Sequence, residues 1–152
     1  MENNEIEVKS NVGEYSSSFF IIKENRIAIS EISLYPKEMI LEYLHNVKGK
    51  TLSDILPLIE KSEQFYFYNR LNVPTQLRGI GLGKILLKET LSYIAKNNAF
   101  LINTANNYGD MGQDNLINFY QKGNMKLVDK NGLLIYHSDL EKTPSLKNNI
   151  KK

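Results

Sequence analysis

The sequence predicts one α/β domain, on three observations. Runs of alternating or continuous apolar residues that suit strands are interleaved with stretches of helical spacing, and no segment repeats. At 152 residues the chain is long enough to bury one sizeable core without covalent staples. Between an aromatic, strand-like run and a leucine-rich helical run lies "LRGIGLGKILL" (77–87), with glycines at positions 79, 81 and 83. Glycines cost backbone entropy unless the main chain must turn sharply or be approached closely.

The elements follow in order. "EIEVKS" (5–10) is a short strand, and 17–35 reads as two strands joined by a turn at Glu24-Asn25. Pro36 opens a helix in which Met39, Ile40, Tyr43, Leu44 and Val47 share one face up to Gly49. A second short helix over 51–63 should bend or restart at Pro57. "QFYFYNRLNV" (64–73), closed by Pro74, is a strand; Phe65 and Phe67 alternate with Tyr66 and Tyr68, which suits burial on both faces. A helix from about Leu82 to Asn97 carries Leu82, Leu86, Leu87, Leu91, Tyr93 and Ile94 on a broad apolar arc, so it should lie flat on a sheet. "AFLINTAN" is a strand and "GQDNLINFYQKG" a helix, and "MKLVD" and "LLIYH" form a hairpin at Asn131-Gly132. The domain is expected to span 1–140, with 141–152 a flexible basic tail.

Composition excludes several functions. Without cysteine there is no disulfide, thiolate metal site or cysteine nucleophile, while the compartment is left open and a cytoplasmic setting is the expectation. No apolar run approaches the roughly 18 residues of a membrane span, and "MENNEIEVKS" is too polar for a signal peptide, so no membrane association is expected. Net charge is +2, and 16 of the 19 basic residues are dispersed lysines, which argues against a nucleic-acid partner. His45 and His137 lack neighbouring ligands, so no metal is expected.

Strand, glycine loop and helix N-terminus together make an anion site, because the first helical amides have no intrahelical acceptor and lie at the positive end of the dipole. The dinucleotide fingerprint G-x-G-x-x-G fails on spacing, and "LINTAN" brings no acidic residue at the end of the next strand. A P-loop fails because Arg78 stands where its first glycine belongs and Ile85 where Ser or Thr should follow the lysine.

Arg78-Gly79-Ile80-Gly81-Leu82-Gly83 does match R-x-x-G-x-G, and "LNVPTQLRGIGLGKILL" resembles the strand, V-x-P exit, pyrophosphate loop and helix of the GNAT N-acetyltransferase superfamily. "NFYQKGNMKLV" resembles that family's second signature, so the likeness covers roughly 64 to 138. It implies a GNAT-like fold: a mixed sheet flanked by helices, whose two parallel strands (64–73 and 100–105) splay to form a CoA cleft. It implies acetyl-CoA as acyl-donor substrate, with direct attack by a primary amine of a small molecule or protein in a ternary complex. Main chain near Leu71 and Val73 would pair with pantetheine, and the amides of Arg78, Gly79, Gly81, Leu82, Gly83 and Lys84 would cradle the pyrophosphate. Tyr120 stands where the family's tyrosine protonates the CoA thiolate, and a phenol of pKa near 10 suits that role chemically.

The likeness has departures. Gln113 replaces the Asn seven residues before the tyrosine, with Asn115 and Asn118 nearby, and keeps an amide for cofactor contact. The strand before the loop lacks the family's glutamate base; Glu63 stands only at its start, and Glu31, Tyr66, Tyr68 or a water chain are the candidates. The helical stretch 37–62 follows a hairpin, not the first strand. The missing glutamate keeps a second reading open, a catalytically inactive GNAT-fold module that binds CoA or a protein. Whether the chain forms a homodimer is left open.

Overall fold

The computed structural model describes residues 6–105 and 112–140. Those residues form one seven-stranded mixed sheet in the order β1-β2-β3-β4-β5-β7-β6, with four helices. The elements are β1 (Lys9–Val12), β2 (Ser16–Lys23), β3 (Arg26–Leu34), α1 (Lys37–Tyr43), α2 (Gly49–Lys61), β4 (Gln64–Asn72), α3 (Leu82–Lys96), β5 (Ala99–Thr104), α4 (Gln113–Lys122), β6 (Lys126–Leu127) and β7 (Leu133–Tyr136). Only β4 and β5 run parallel, joined by α3; the other neighbours are antiparallel.

Side-chain alternation divides the core. From β4 and β5, Phe65, Phe100 and Ile102 face α1 and α2, where they pack on Ile40, Leu44, Ile55 and Ile59. Tyr66, Tyr68, Ala99 and Leu101 face the other way, onto Leu87, Leu91 and Ile94 of α3 and Tyr120 of α4. Further out, Phe19, Ile21 and Ala28 of the first hairpin cover Leu82 and Leu86. The turn between β2 and β3 lies at Glu24 (φ 55) and Asn25 (φ 62), the two consecutive left-handed residues a tight hairpin needs.

Two elements differ from expectation. The first strand is Lys9–Val12 instead of 5–10; it is an exposed edge strand, with no apolar alternation to mark its ends. Helix α2 runs unbroken through Pro57, because burial of Ile55, Leu58 and Ile59 at about 1.5–3 kcal/mol each outweighs the proline's ~3 kcal/mol. The hairpin expected at Asn131-Gly132 is present, and this pair ends the loop 128–132 that joins β6 to β7. Gly132 has φ 96, and the Asp129 carboxylate accepts from the amides of Asn131 (2.9 Å) and Leu133 (3.3 Å). The segment 141–152 lies outside the described residues, as do 1–5 and 106–111.

A buried chain of hydroxyls pins α3 to the sheet. Thr90 Oγ1 donates to Leu86 O (2.8 Å), so Ser30 Oγ must donate to Thr90 Oγ1 (2.7 Å) and Tyr68 must donate to Ser30 Oγ. Burial pushes the Tyr68 phenol above its ordinary range, Tyr120 adds to the rise, and the Ser30 and Thr90 hydroxyls oppose it. Burial likewise raises Tyr43, Tyr66 and Tyr120. A raised phenol is neutral in the fold after the unfolded chain has ionised near pH 10. Its stabilising contribution is therefore full below about pH 10 and is lost as pH climbs toward the folded value. Urea unfolding free energy should stay level from neutral pH to about 9 and fall above 10. Tyr68→Phe should cost about 1 kcal/mol at neutral pH and make the alkaline fall shallower. An alkaline limb as steep as wild type would show that Tyr68 does not contribute to it.

Candidate active site

The parallel pairing of β4 with β5 ends at Phe67–Ile102. Beyond it β4 continues as the partner of β3 alone, through Tyr68–Ile32, Arg70–Glu31, Leu71–Ser30 and Asn72–Ile29. Asn69 is the extra residue of a bulge between Glu31 and Ile32, and its amide donates to Ser33 Oγ. A bulge adds bend and local twist, and it sits where the two parallel strands part. The edge of β4 from Tyr68 to Asn72 that faces β5 is left without a strand partner.

That parting opens a cleft of about 640 Å³, lined by residues 68–73 of β4, the glycine loop, the start of α3, Asn103 of β5, and Leu116, Phe119 and Tyr120 of α4. A hollow of about 780 Å³ over Ser53, Leu56, Pro57, Glu60 and Lys61 is shallower and lies on the outside of α2. The site is assigned to the smaller cleft, which alone joins an unpaired strand edge, a helix N-terminus and buried polar side chains.

The three glycines do different work. Gly79 (φ 90) and Gly81 (φ 84) adopt left-handed backbone, and a β-carbon at either would meet no atom within 4 Å. Gly81 is the N-cap of α3 and supplies no side-chain cap, so the amides of Leu82, Gly83 and Lys84 have no intrahelical acceptor; the first ladder bond is Ile85 N to Gly81 O (3.1 Å). Gly83 is helical, and its β-carbon would stand in ordinary contact, 3.4 Å from the Phe119 ring and 3.6 Å from Val73, so it lies where α3 meets α4. Arg78 Nε donates to Val73 O (2.9 Å), tying the loop to the end of β4.

Of the residues expected at the site, Leu71, Val73, Arg78, Gly79, Gly81, Leu82, Gly83, Lys84 and Tyr120 line this one cleft. Gln113 does not. Its amide donates to Ala105 O (3.1 Å) and Asn131 O (3.1 Å), bridging the end of β5 to the β6–β7 loop. Tyr120 is 6% exposed, with its ring 6.0 Å from that of Tyr68. Burial raises the Tyr120 phenol and the Asn103 carboxamide partly offsets that rise.

Two candidate bases are committed elsewhere: Tyr68 donates to Ser30, and Tyr66 donates to Gln64 Oε1 (3.2 Å). Glu31 reaches the cleft only through Arg70, whose Nε lies 3.3 Å from its carboxylate. The sequence reading missed Asn103, 4% exposed at the floor of the cleft. Its signal was a lone amide inside the apolar run "AFLINTA". Among the described residues no cluster could hold a metal, and no helix is long and apolar enough to cross a membrane.

No family model matches the chain, and no curated protein matches it either. Among solved structures it is similar to Arabidopsis thaliana NAA60 in complex with a bisubstrate analogue, at 14% identity and a TM-score of 0.52, over 82% of this chain and 76% of that one. Arabidopsis thaliana Naa50 in complex with the bisubstrate analogue CoA-Ac-MVNAL matches at 15% identity and a TM-score of 0.48, over 78% of this chain and 69% of that one. The helical pair α1–α2 follows three strands in this chain, which keeps the departure read from the sequence. With its sheet order, splayed parallel strands and the likeness to NAA60, the chain has the GNAT fold.

Proposed function

We propose that the protein is an acetyl-CoA-dependent N-acetyltransferase that acetylates a primary amine by direct attack in a ternary complex. The observation that carries this reading is a single cleft with an unpaired strand edge along one wall, free helix amides at one end and a buried phenol at the other. The NAA60 structure, which shares the fold, holds a bisubstrate analogue and supports the reading.

The parts suit the donor. An extended chain carrying amides can pair with the open edge of β4 near Leu71 and Val73, as an added strand would. The amides from Gly79 to Lys84 suit a pyrophosphate, with Gly79 and Gly81 removing the β-carbons that would hold it off, whereas the Arg78 amide donates to Thr75 O (3.3 Å). Acetyl-CoA supplies an activated acyl carbon and a thiolate leaving group. As the amine nitrogen bonds to that carbon and the C–S bond breaks, Tyr120 returns a proton to the sulfur and recovers one from the acylated nitrogen. Its raised pKa keeps it protonated across the neutral range. An acceptor amine of a small molecule or a protein is equally compatible with this cleft.

Gly81→Ala should cost about 1–2 kcal/mol of stability through its left-handed backbone. It should weaken acetyl-CoA by tenfold or more in calorimetry, because the new methyl projects into the space a phosphate needs. Wild-type affinity in a destabilised variant would make the loop a turn and nothing more.

Tyr120→Phe keeps the ring and removes the hydroxyl. It should melt near the wild-type temperature while turnover falls by about 10²–10⁴-fold, the contribution of a positioned general acid. The deficit should narrow toward high pH, where the thiolate leaves unprotonated. Unchanged turnover would remove the acid role. Absence of CoA release from wild type with any amine, despite tight acetyl-CoA binding, would favour the inactive binding module that the missing strand glutamate suggests.

A further inference from the structure

Asn103 is nine-tenths buried, yet its Nδ2 makes no hydrogen bond of ordinary geometry in the structure. A buried donor left unpaired costs about 1–3 kcal/mol, and native proteins rarely leave one so. Its position supplies a reason. Asn103 is the first residue of β5 past the last parallel pair, Phe67–Ile102, and its side chain lines the floor of the cleft with Tyr68 and Tyr120.

The Tyr68 hydroxyl is consumed by Ser30. The Tyr120 phenol and the Asn103 carboxamide remain; the amide lies near enough to oppose the rise that burial gives the phenol, yet Nδ2 has no partner at hydrogen-bond geometry, so both groups can donate to an incoming acceptor. Two neutral donors fit a group that offers acceptors and no hydrogens, and they do not fit a cation.

We propose that Asn103 Nδ2 is a substrate-binding donor that acts with the Tyr120 hydroxyl on the thioester end of the acyl donor. The proposal rests on the acetyl-CoA reading above. A thioester presents a carbonyl oxygen and a sulfur, both acceptors, and negative charge gathers on each in turn as the nitrogen attacks and the C–S bond breaks. Asn103 transfers no proton. It holds a hydrogen bond to the group that gains charge, while the proton that ends on sulfur comes from Tyr120 and is replaced from nitrogen. The orphaned amide is thus a stability cost in the free protein that is relieved when the donor substrate binds.

The test uses the full chain, two variants and two probes. Asn103→Leu removes the amide at similar volume, and Asn103→Asp keeps the shape and replaces the donor with an oxygen. Calorimetry would measure acetyl-CoA, which reaches the floor, and 3′,5′-ADP, which carries only the phosphate end. Both variants should bind acetyl-CoA about five- to tenfold more weakly, the worth of one hydrogen bond, and 3′,5′-ADP as wild type does. Asn103→Leu should melt near the wild-type temperature, because the contact with the Tyr120 phenol is all that is lost.

Acetyl-CoA affinity within twofold of wild type in both variants would overturn the Asn103 assignment alone. So would equal weakening of both probes, which would mark a general structural defect. A wild-type protein that binds neither probe would overturn the acetyl-CoA reading, and this proposal with it.

Discussion

The structure depends on a divided loyalty of β4. Its first four residues pair with β5, and from Tyr68 onward only β3 holds it. Interior strands normally satisfy their backbone groups on both sides, since an unpaired buried amide or carbonyl costs as much as a lost hydrogen bond. Here the bulge at Asn69 and the hydrogen bond from Asn69 to Ser33 hold β4 to β3 at the parting, and one edge of the strand is left exposed to a cleft. An open edge inside a sheet is tolerated only where something else can pair with it or water can reach it. The cleft allows either.

The rest of the site is positioned around that edge. The hydroxyl chain from Tyr68 through Ser30 and Thr90 to Leu86 O fastens α3 against β3 and β4, which fixes the direction of its N-terminal amides relative to the strand edge. Phe119 of α4 lies beside Gly83 of α3, so α4 closes the third wall and brings Tyr120 to the cleft. Gly123 is the tighter contact: a β-carbon there would come within 2.3 Å of Leu87 Cδ2, so the Leu87 side chain would have to shift for the end of α4 to keep its place on α3.

Much of this was legible because the signals were local. Alternation in "QFYFY" marked a strand buried on both faces, the apolar arc of 82–94 marked a helix flat on the sheet, and Glu24-Asn25 marked its hairpin. The glycine loop was readable because Gly79 and Gly81 have positive φ that few other residues adopt. What escaped was set at long range. Gln113 was expected near the cofactor from its likeness to the family's Asn seven residues before Tyr120; its Nε2 donates to the carbonyls of Ala105 and Asn131, eight and eighteen residues away, which the spacing does not display. Asn103 escaped because its meaning lies in the end of strand pairing beside it, which no single sequence displays. The edge strand Lys9–Val12, exposed throughout, carries no pattern to read.

Amide hydrogen exchange with and without acetyl-CoA tests the central claim most directly, because it reports on the backbone edge and helix amides. The account predicts slowed exchange in two segments, 68–73 along the open edge of β4 and 79–84 through the glycine loop into α3. The first hairpin, β2 and β3 away from the cleft, should be unchanged. Protection elsewhere, or none at saturating acetyl-CoA, would contradict the assignment of the cleft as an acyl-CoA site.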